Sequence, residues 1–287
     1  GRYLHQLDSA DRQEPSHART MTTERLNSKI TTLKEEMHRL QKLEDLMLAT
    51  PGQQISLTDP DARSMATSGR GSGMVAYNVQ SAMDTKHHLI VAHEVTNSGS
   101  DRSQLSNMAK QAKAVLKTNK LDVVADRGYF KSEEILACDK AGITVTLPKP
   151  QTSNNKLRGR FVKQDFRYLA EDDVYLCPAN ERLVYYYSNV ERGLTLRRYW
   201  TNACQFCVIK EKCTTAKQRR ITRWEHEHIL EAVQQRLDEN PQKMRLRRET
   251  VEHPFGTIKS WMGYTHFQMK TLKRVGTEMA LHVLAYN

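Results

Sequence analysis

The sequence predicts an α/β protein built on a mixed sheet. Three observations support this. Strand-like runs follow one another over residues 55–58, 74–83 and 88–96, the last two joined by the turn Asp84-Thr85-Lys86-His87. From about residue 103 helical and strand-like runs alternate, and that succession of elements gives a sheet with both antiparallel and parallel neighbours. Acidic residues also directly follow strand-like runs, Asp59 after the first and Asp126 after the fourth.

Taken in order, residues 1–20 are polar and expected to be irregular. From Thr23 onward Leu26, Ile30, Leu33, Met37, Leu40, Leu43 and Met47 recur at spacings of three and four. That is one apolar stripe on a long helix ended by Pro51-Gly52. Such a helix either pairs between subunits or packs on its own domain, and the reading leans to an oligomerising or domain-linking role. Ile55-Ser56-Leu57-Thr58 reads as a strand running into Asp59-Pro60-Asp61, and Thr67 to Gly73 reads as a Gly/Ser-rich loop. Asn97-Ser98-Gly99-Ser100-Asp101 forms a loop and cap before a helix at 103–117, with Leu105, Met108, Ala112 and Val115 on one face. A strand, a helix at 131–141 and a strand at 143–147 follow, closed by Pro148. Residues 149–163 are a basic loop. Residues 165–222 hold short strand-like pieces with the cysteines. A helical region resumes near Trp224, a basic helix covers 242–261, and an amphipathic helix covers 271–286. The expected organisation is therefore an arm and helix over 1–52, the first part of a catalytic domain over 53–148, a basic Cys-containing insertion over 149–240, and two helices completing the catalytic domain over 241–287.

The chain has 287 residues, with 44 Lys and Arg against 33 Asp and Glu, a formal charge of +11. That balance points to a polyanionic partner, most simply nucleic acid. No apolar run approaches the ~18 residues of a membrane span. The chain opens at Gly1-Arg2-Tyr3 without Met and is expected to be a fragment of a longer protein.

Val123-Val124-Ala125 reads as a buried strand ending in Asp126, after which Gly128 turns the chain toward a helix capped at Ser132-Glu133-Glu134. In open α/β sheets chemistry collects outside the carboxyl ends of strands. An Asp there is a metal ligand or a turn former. Glu252, among the arginines of 245–248, is by itself an ordinary ion-pair face.

Two motifs decide between these readings. Asp126-Arg127-Gly128-Tyr129 has the form Asp-x-Gly-Tyr. Arg248, Glu252 and Lys259 have the spacing Arg, three residues, Glu, six residues, Lys, with Arg245 where a tyrosine would complete the signature. With the strand order, these motifs make the chain resemble the DDE transposases of bacterial insertion sequences, an RNase H-like family. The resemblance covers most of 55–150 and 242–287. It implies an RNase H-like mixed sheet in which Asp59, Asp126 and Glu252 are the catalytic acids and hold Mg²⁺ or Mn²⁺. Asp61 is the alternative first acid, and Asp84 reads as turn structure. Arg248 and Lys259 would hold phosphates or brace the acids, and Arg245 stands in the tyrosine's place. Two such ions about 3.5–4 Å apart activate the attacking oxygen and stabilise the leaving one. The implied activity is DNA cleavage followed by strand transfer, on terminal inverted repeats and target DNA. A homodimer would join the paired ends, in the cytoplasm on the bacterial nucleoid. The alternatives are a nuclease-only relative and a truncated DNA-binding remnant.

The interval from Asp126 to Glu252 is long enough to contain an insertion. Within it Cys177, Cys204, Cys207 and Cys213 form either a four-thiolate Zn²⁺ set or reduced thiols without metal. Cys138 reads as core. Tyr185, Tyr186, Tyr187, Tyr199 and Trp200 interleave with Arg197 and Arg198, a composition suited to stacking on bases and equally to a half-buried sheet.

Overall fold

A computed structural model describes residues 2–11, 17–50, 52–66, 73–151 and 153–287. The chain divides into two compact units. One holds residues 1–78, 97–99 and 269–275; the other holds 79–96, 100–268 and 276–287.

In the first unit helix α1 (Arg2–Asp11) and the long helix α2 (His17–Ala49) precede a hairpin of β1 (Arg63–Ala66) and β2 (Gly73–Ala76). The described residues of the arm expected to be irregular, 2–11 and 17–20, are thus helical. Tyr3 gives α1 an anchor, its ring lying 5.4 Å from the Lys29 ammonium on α2. On α2 Leu26 is buried, whereas Leu33, Met37 and Leu40 are exposed. The run 55–58 is not a strand. Leu57 is 72% exposed, so the run has no apolar face to bury. The Ser56 hydroxyl accepts the Asp59 amide at 3.2 Å and bends the chain locally. Asp59 therefore follows a turn rather than a strand. The Gly/Ser-rich loop expected at 67–73 lies outside the described residues apart from Gly73, which opens β2.

The second unit begins at Val79, within the hairpin of β3 (Asn78–Met83) and β4 (Ile90–Thr96). Asp84 closes its turn, its carboxylate accepting the Lys86 and His87 amides at 3.1 and 3.0 Å. Helix α3 (Leu105–Leu116) then leads to β5 (Leu121–Val124), α4 (Ser132–Lys140) and β6 (Ile143–Thr146). Strands β5 and β6 pair in parallel, as a strand–helix–strand crossover requires. Ile135, Cys138, Ile143, Val145 and Leu147 form the main core with Trp224, Leu230 and Val233. Among the described residues β3–β4 and β5–β6 are separate hydrogen-bonded pairs rather than one mixed sheet. Side chains bridge them instead: Ala92 of β4, Met108 and Ala112 of α3 and Leu121 of β5 pack together.

Between β6 and the last helices lies a five-stranded antiparallel sheet in sequence order, β7 (Arg167–Leu169), β8 (Val174–Leu176), β9 (Arg182–Glu191), β10 (Leu194–Trp200) and β11 (Ile221–Trp224). Its core is Phe166, Tyr175, Leu183, Tyr199, Ile221 and Cys213. Asp173 is its polar centre, accepting the Tyr168 and Tyr199 hydroxyls at 2.6 and 2.7 Å and pairing with Arg197. Helix α5 (Glu227–Glu239), grouped with the insertion by sequence, packs on the main core. Its Ile229, Leu230 and Val233 join that core, and Arg236 Nη2 donates to the Val145 carbonyl at 2.9 Å.

Helix α6 (Lys243–Gly256) carries the basic stretch and runs into a wide turn, Thr257–Trp261. Pro254 inside α6 has no amide to donate, so the helical ladder is interrupted there. Ile258 packs with Ile90, Met279 and Val283. The last two belong to α7 (Leu272–Tyr286). No helix among the described residues is long and apolar enough to cross a membrane.

Candidate active site

Asp126 sits just beyond the carboxyl end of β5. The strand is held to its end, since the Ala125 amide donates to the Thr146 carbonyl at 3.1 Å. The chain then turns through Arg127–Tyr129, and the Asp126 carboxylate caps that turn by accepting the Arg127 amide at 2.5 Å. Capping uses Oδ1, and the side chain is still 57% exposed. Arg247 Nη2 of α6 lies 3.8 Å from Oδ2, and a cavity of about 170 Å³ is lined by Asp126, Tyr129, Arg247, Thr250 and Val251, among others.

Below Asp126 is a polar support. The Tyr129 hydroxyl donates to Gln80 Oε1, and Gln80 Nε2 donates to Asp101 Oδ1 at 2.7 Å. Asp101 Oδ2 lies 3.6 Å from where a Cβ on Gly128 would stand, so a second carboxylate neighbours the Asp126 turn. Burial first, then Asp101 and Asp126, push the Tyr129 phenol well above its ordinary pKa. It therefore remains a neutral donor that ties the turn to β3.

Glu252 lies on α6 one residue past Val251, about 100° further round the helix. It is exposed and does not line that cavity. Leu246, Arg247, Thr250 and Val251 do, and at about 100° per residue Glu252 points roughly 170° away from the centre of their face. The next residue, His253, points to α7 and meets the Tyr286 hydroxyl at 3.0 Å. Arg245 pairs with Glu249 at 2.8 Å, while Arg248 and Lys259 are exposed. The arginine that reaches Asp126 is thus Arg247. Neither Arg247 nor Asp101 carries a spacing signal in the sequence; the only cue was the run of basic residues before Glu252.

Asp59 belongs to the first unit and is buried there. Its Oδ2 accepts the Tyr77 hydroxyl at 2.8 Å, and its Oδ1 accepts the amides of Asp61 and Thr271, both at 3.2 Å. Asp61 Oδ2 accepts the Leu272 amide at 2.8 Å. Both acids therefore meet the amino-terminal end of α7, where unpaired amides favour negative charge. Burial opposes the Asp59 charge. The Tyr77 hydroxyl, the two amides and Lys270 outweigh it and hold the carboxyl below its usual range.

The three acids are hard oxygen donors of the kind Mg²⁺ takes. Asp126 and Glu252 have exposed carboxylates for such an ion. Asp59 belongs to the other unit, and its carboxylate oxygens accept from Tyr77 and from the Asp61 and Thr271 amides. Among the described residues no three His, Cys, Asp or Glu side chains are gathered as ligands of one ion.

In the insertion, Cys177, Cys204, Cys207 and Cys213 all line one small cavity, while Cys138 is buried in the main core. On the neighbouring sheet Tyr186 stacks on Trp200 with ring centroids 3.6 Å apart, and the Arg220 guanidinium lies 5.1 Å from the Trp200 ring.

Residues 176–287 match the family model described as transposase DDE domain. The matched stretch is less than half of the chain; it includes Glu252 and the four insertion cysteines and excludes Asp59 and Asp126. The match supports a DDE-type transposase. No curated protein and no solved structure gives a significant match.

Proposed function

We propose that this chain is the catalytic part of a DDE-type transposase that cuts insertion-sequence ends and joins them to target DNA. The observation that supports this most is the transposase DDE domain match over the stretch that carries Glu252. Beside it stands an exposed Asp126 at a strand end, with an arginine of the Glu252 helix next to it. Asp126 and Glu252, with Asp59 as the third acid, would hold Mg²⁺ or Mn²⁺. Bound there, the ion would make the attacking oxygen more acidic and stabilise the leaving one. Arg247, Arg248 and Lys259 bring positive charge along one helix and its following turn, where they grip phosphates of the scissile strand. Tyr129, through Gln80, fixes the turn that presents Asp126. Two DNA ends must be joined in one event, so the working form is a homodimer. The uncovered stripe Leu33, Met37 and Leu40 on α2 suits a second copy of the same helix.

A specific observation favours a second reading. The Asp59 oxygens are already taken up by Tyr77 and the start of α7, as in a structural cap. In that case the chain is a DNA-binding remnant without catalysis. Duplex oligonucleotides copied from the DNA on either side of the coding sequence separate the readings. With Mg²⁺ or Mn²⁺, the first gives cleaved ends and joined products that Asp126→Asn abolishes. The second gives binding without products under every metal.

A further inference from the structure

We propose that Cys177, Cys204, Cys207 and Cys213 bind one structural Zn²⁺ as a tetrathiolate that holds the loop between β10 and β11. The inference is independent of the reaction proposed above. Three separate segments bring the cysteines together. Cys177 follows β8 at a tight turn, where its amide donates to the Glu181 carbonyl at 3.0 Å and the Asn180 amide donates back to its carbonyl at 2.8 Å. Cys204 and Cys207 flank a turn in which the Phe206 amide donates to the Ala203 carbonyl at 3.1 Å. Cys213 ends a second short turn, its amide donating to the Lys210 carbonyl at 2.9 Å. All four line one cavity of about 20 Å³, too small for a side chain and large enough for an ion.

The side chains of this loop are arranged against the hydrophobic effect. Phe206 is 90% exposed and Val208 is 99% exposed, while Cys204 and Cys207 are turned inward and Cys213 is buried. Burying a Phe or Val side chain is favourable by itself, so apolar burial alone would turn this loop the other way. Something must favour the inward thiols. The loop between β10 and β11 contains only short turns, and Ile209 is the one large aliphatic side chain it sends to this cavity beside Cys204, Cys207 and Cys213. A tetrahedral zinc ion with four sulfur ligands supplies that missing centre. The thiols surround the cavity, but no three are yet drawn together at ligand spacing. Binding would have to draw the four sulfurs together around the ion. Each sulfur releases its proton to solvent on bonding the ion, and nothing is oxidised.

The test uses the full chain. Zinc is measured by atomic emission after purification and after reconstitution with zinc alone, and cobalt is then exchanged for zinc. The proposal expects one zinc per chain. The cobalt form should have the visible bands of a tetrahedral site and strong sulfur-to-cobalt charge transfer. Chelation should lower the thermal midpoint and expose four additional thiols to a thiol reagent. Cys207→Ser and Cys177→Ser should each weaken zinc retention at least tenfold, and Cys138→Ala should not. If a serine variant fails to fold, the cobalt spectrum of the unaltered chain decides. Absence of zinc after reconstitution, absence of the charge-transfer band, or full zinc retention in a folded Cys207→Ser chain would each overturn the proposal.

Discussion

Replacing Arg247 with Gln tests how the Asp126 site manages charge before a metal arrives. Arg247 Nη2 is 3.8 Å from Asp126 Oδ2. Two unit charges at that separation attract by about 1 kcal/mol in bulk water and about 4 kcal/mol at an effective dielectric of 20. Asp126 is more than half exposed, so the lower figure applies after solvent screening. A divalent ion at Asp126 must work against that ion pair and against the nearby guanidinium. Arg247→Gln removes both obstacles and keeps a polar side chain of similar reach. Metal affinity should therefore rise by roughly fivefold, the equivalent of about 1 kcal/mol. DNA affinity should fall, because a phosphate contact is lost, and the slope of log K against log salt should flatten by about 0.9. Calorimetric titration with Mn²⁺ and salt-dependent fluorescence anisotropy on a duplex measure the two effects. Metal affinity that is unchanged or weaker in a variant with the parental thermal midpoint would refute the charge argument.

Three further outcomes are expected. Glu227→Gln should lower stability by about 2 kcal/mol in chemical denaturation. It removes a buried charge paired with Lys163 at 2.7 Å, though Lys163 is one-third exposed and so the loss is less than for a fully buried pair. Burial opposes the Glu227 charge, but Lys163, Lys149 and the Trp224 amide hold the carboxyl below its ordinary value. Its stabilisation is thus full above the unfolded-state pKa near 4.5 and lost as pH falls through the lower folded value. Glu227→Gln should accordingly have a flatter stability profile over that acidic range, and an unchanged profile would contradict the assignment. Asp59→Asn should abolish cleavage while costing about 1 kcal/mol, because Asn still caps the start of α7; retained cleavage would leave Asp59 as a cap only. Leu40→Glu should shift the chain from dimer to monomer in sedimentation velocity, and an unchanged profile would exclude α2 as the dimer contact.

Periodicity made much of the second unit legible. Leu105, Met108 and Ala112 mark α3, and the alternation of β5, α4 and β6 follows from apolar runs bounded by turn residues. What failed was local context. Ile55–Thr58 has strand-like residues, but the Ser56 hydroxyl captures the next turn and leaves Leu57 in solvent. Residues 2–11 form a helix despite a polar average, which hides the Tyr3 contact with Lys29. Strand patterns also could not reveal that β3–β4 and β5–β6 meet through side chains. At the candidate site, Asp126 and Glu252 were legible as motifs. Arg247 and Asp101 were not, because their roles depend on where α6 and the turn before α3 meet the end of β5. The cysteines were legible as a set. Their shared cavity, and the outward Phe206 and Val208, depend on loop geometry that spacing does not encode.

The most direct test of the central claim is Mn²⁺ binding by calorimetry, comparing the unaltered chain with Asp126→Asn. A metal-holding acid at the end of β5 predicts measurable binding that drops sharply in the variant while the fold is retained. No binding, or equal binding by both proteins, would contradict a catalytic Asp126 and leave a DNA-binding protein without transposase chemistry.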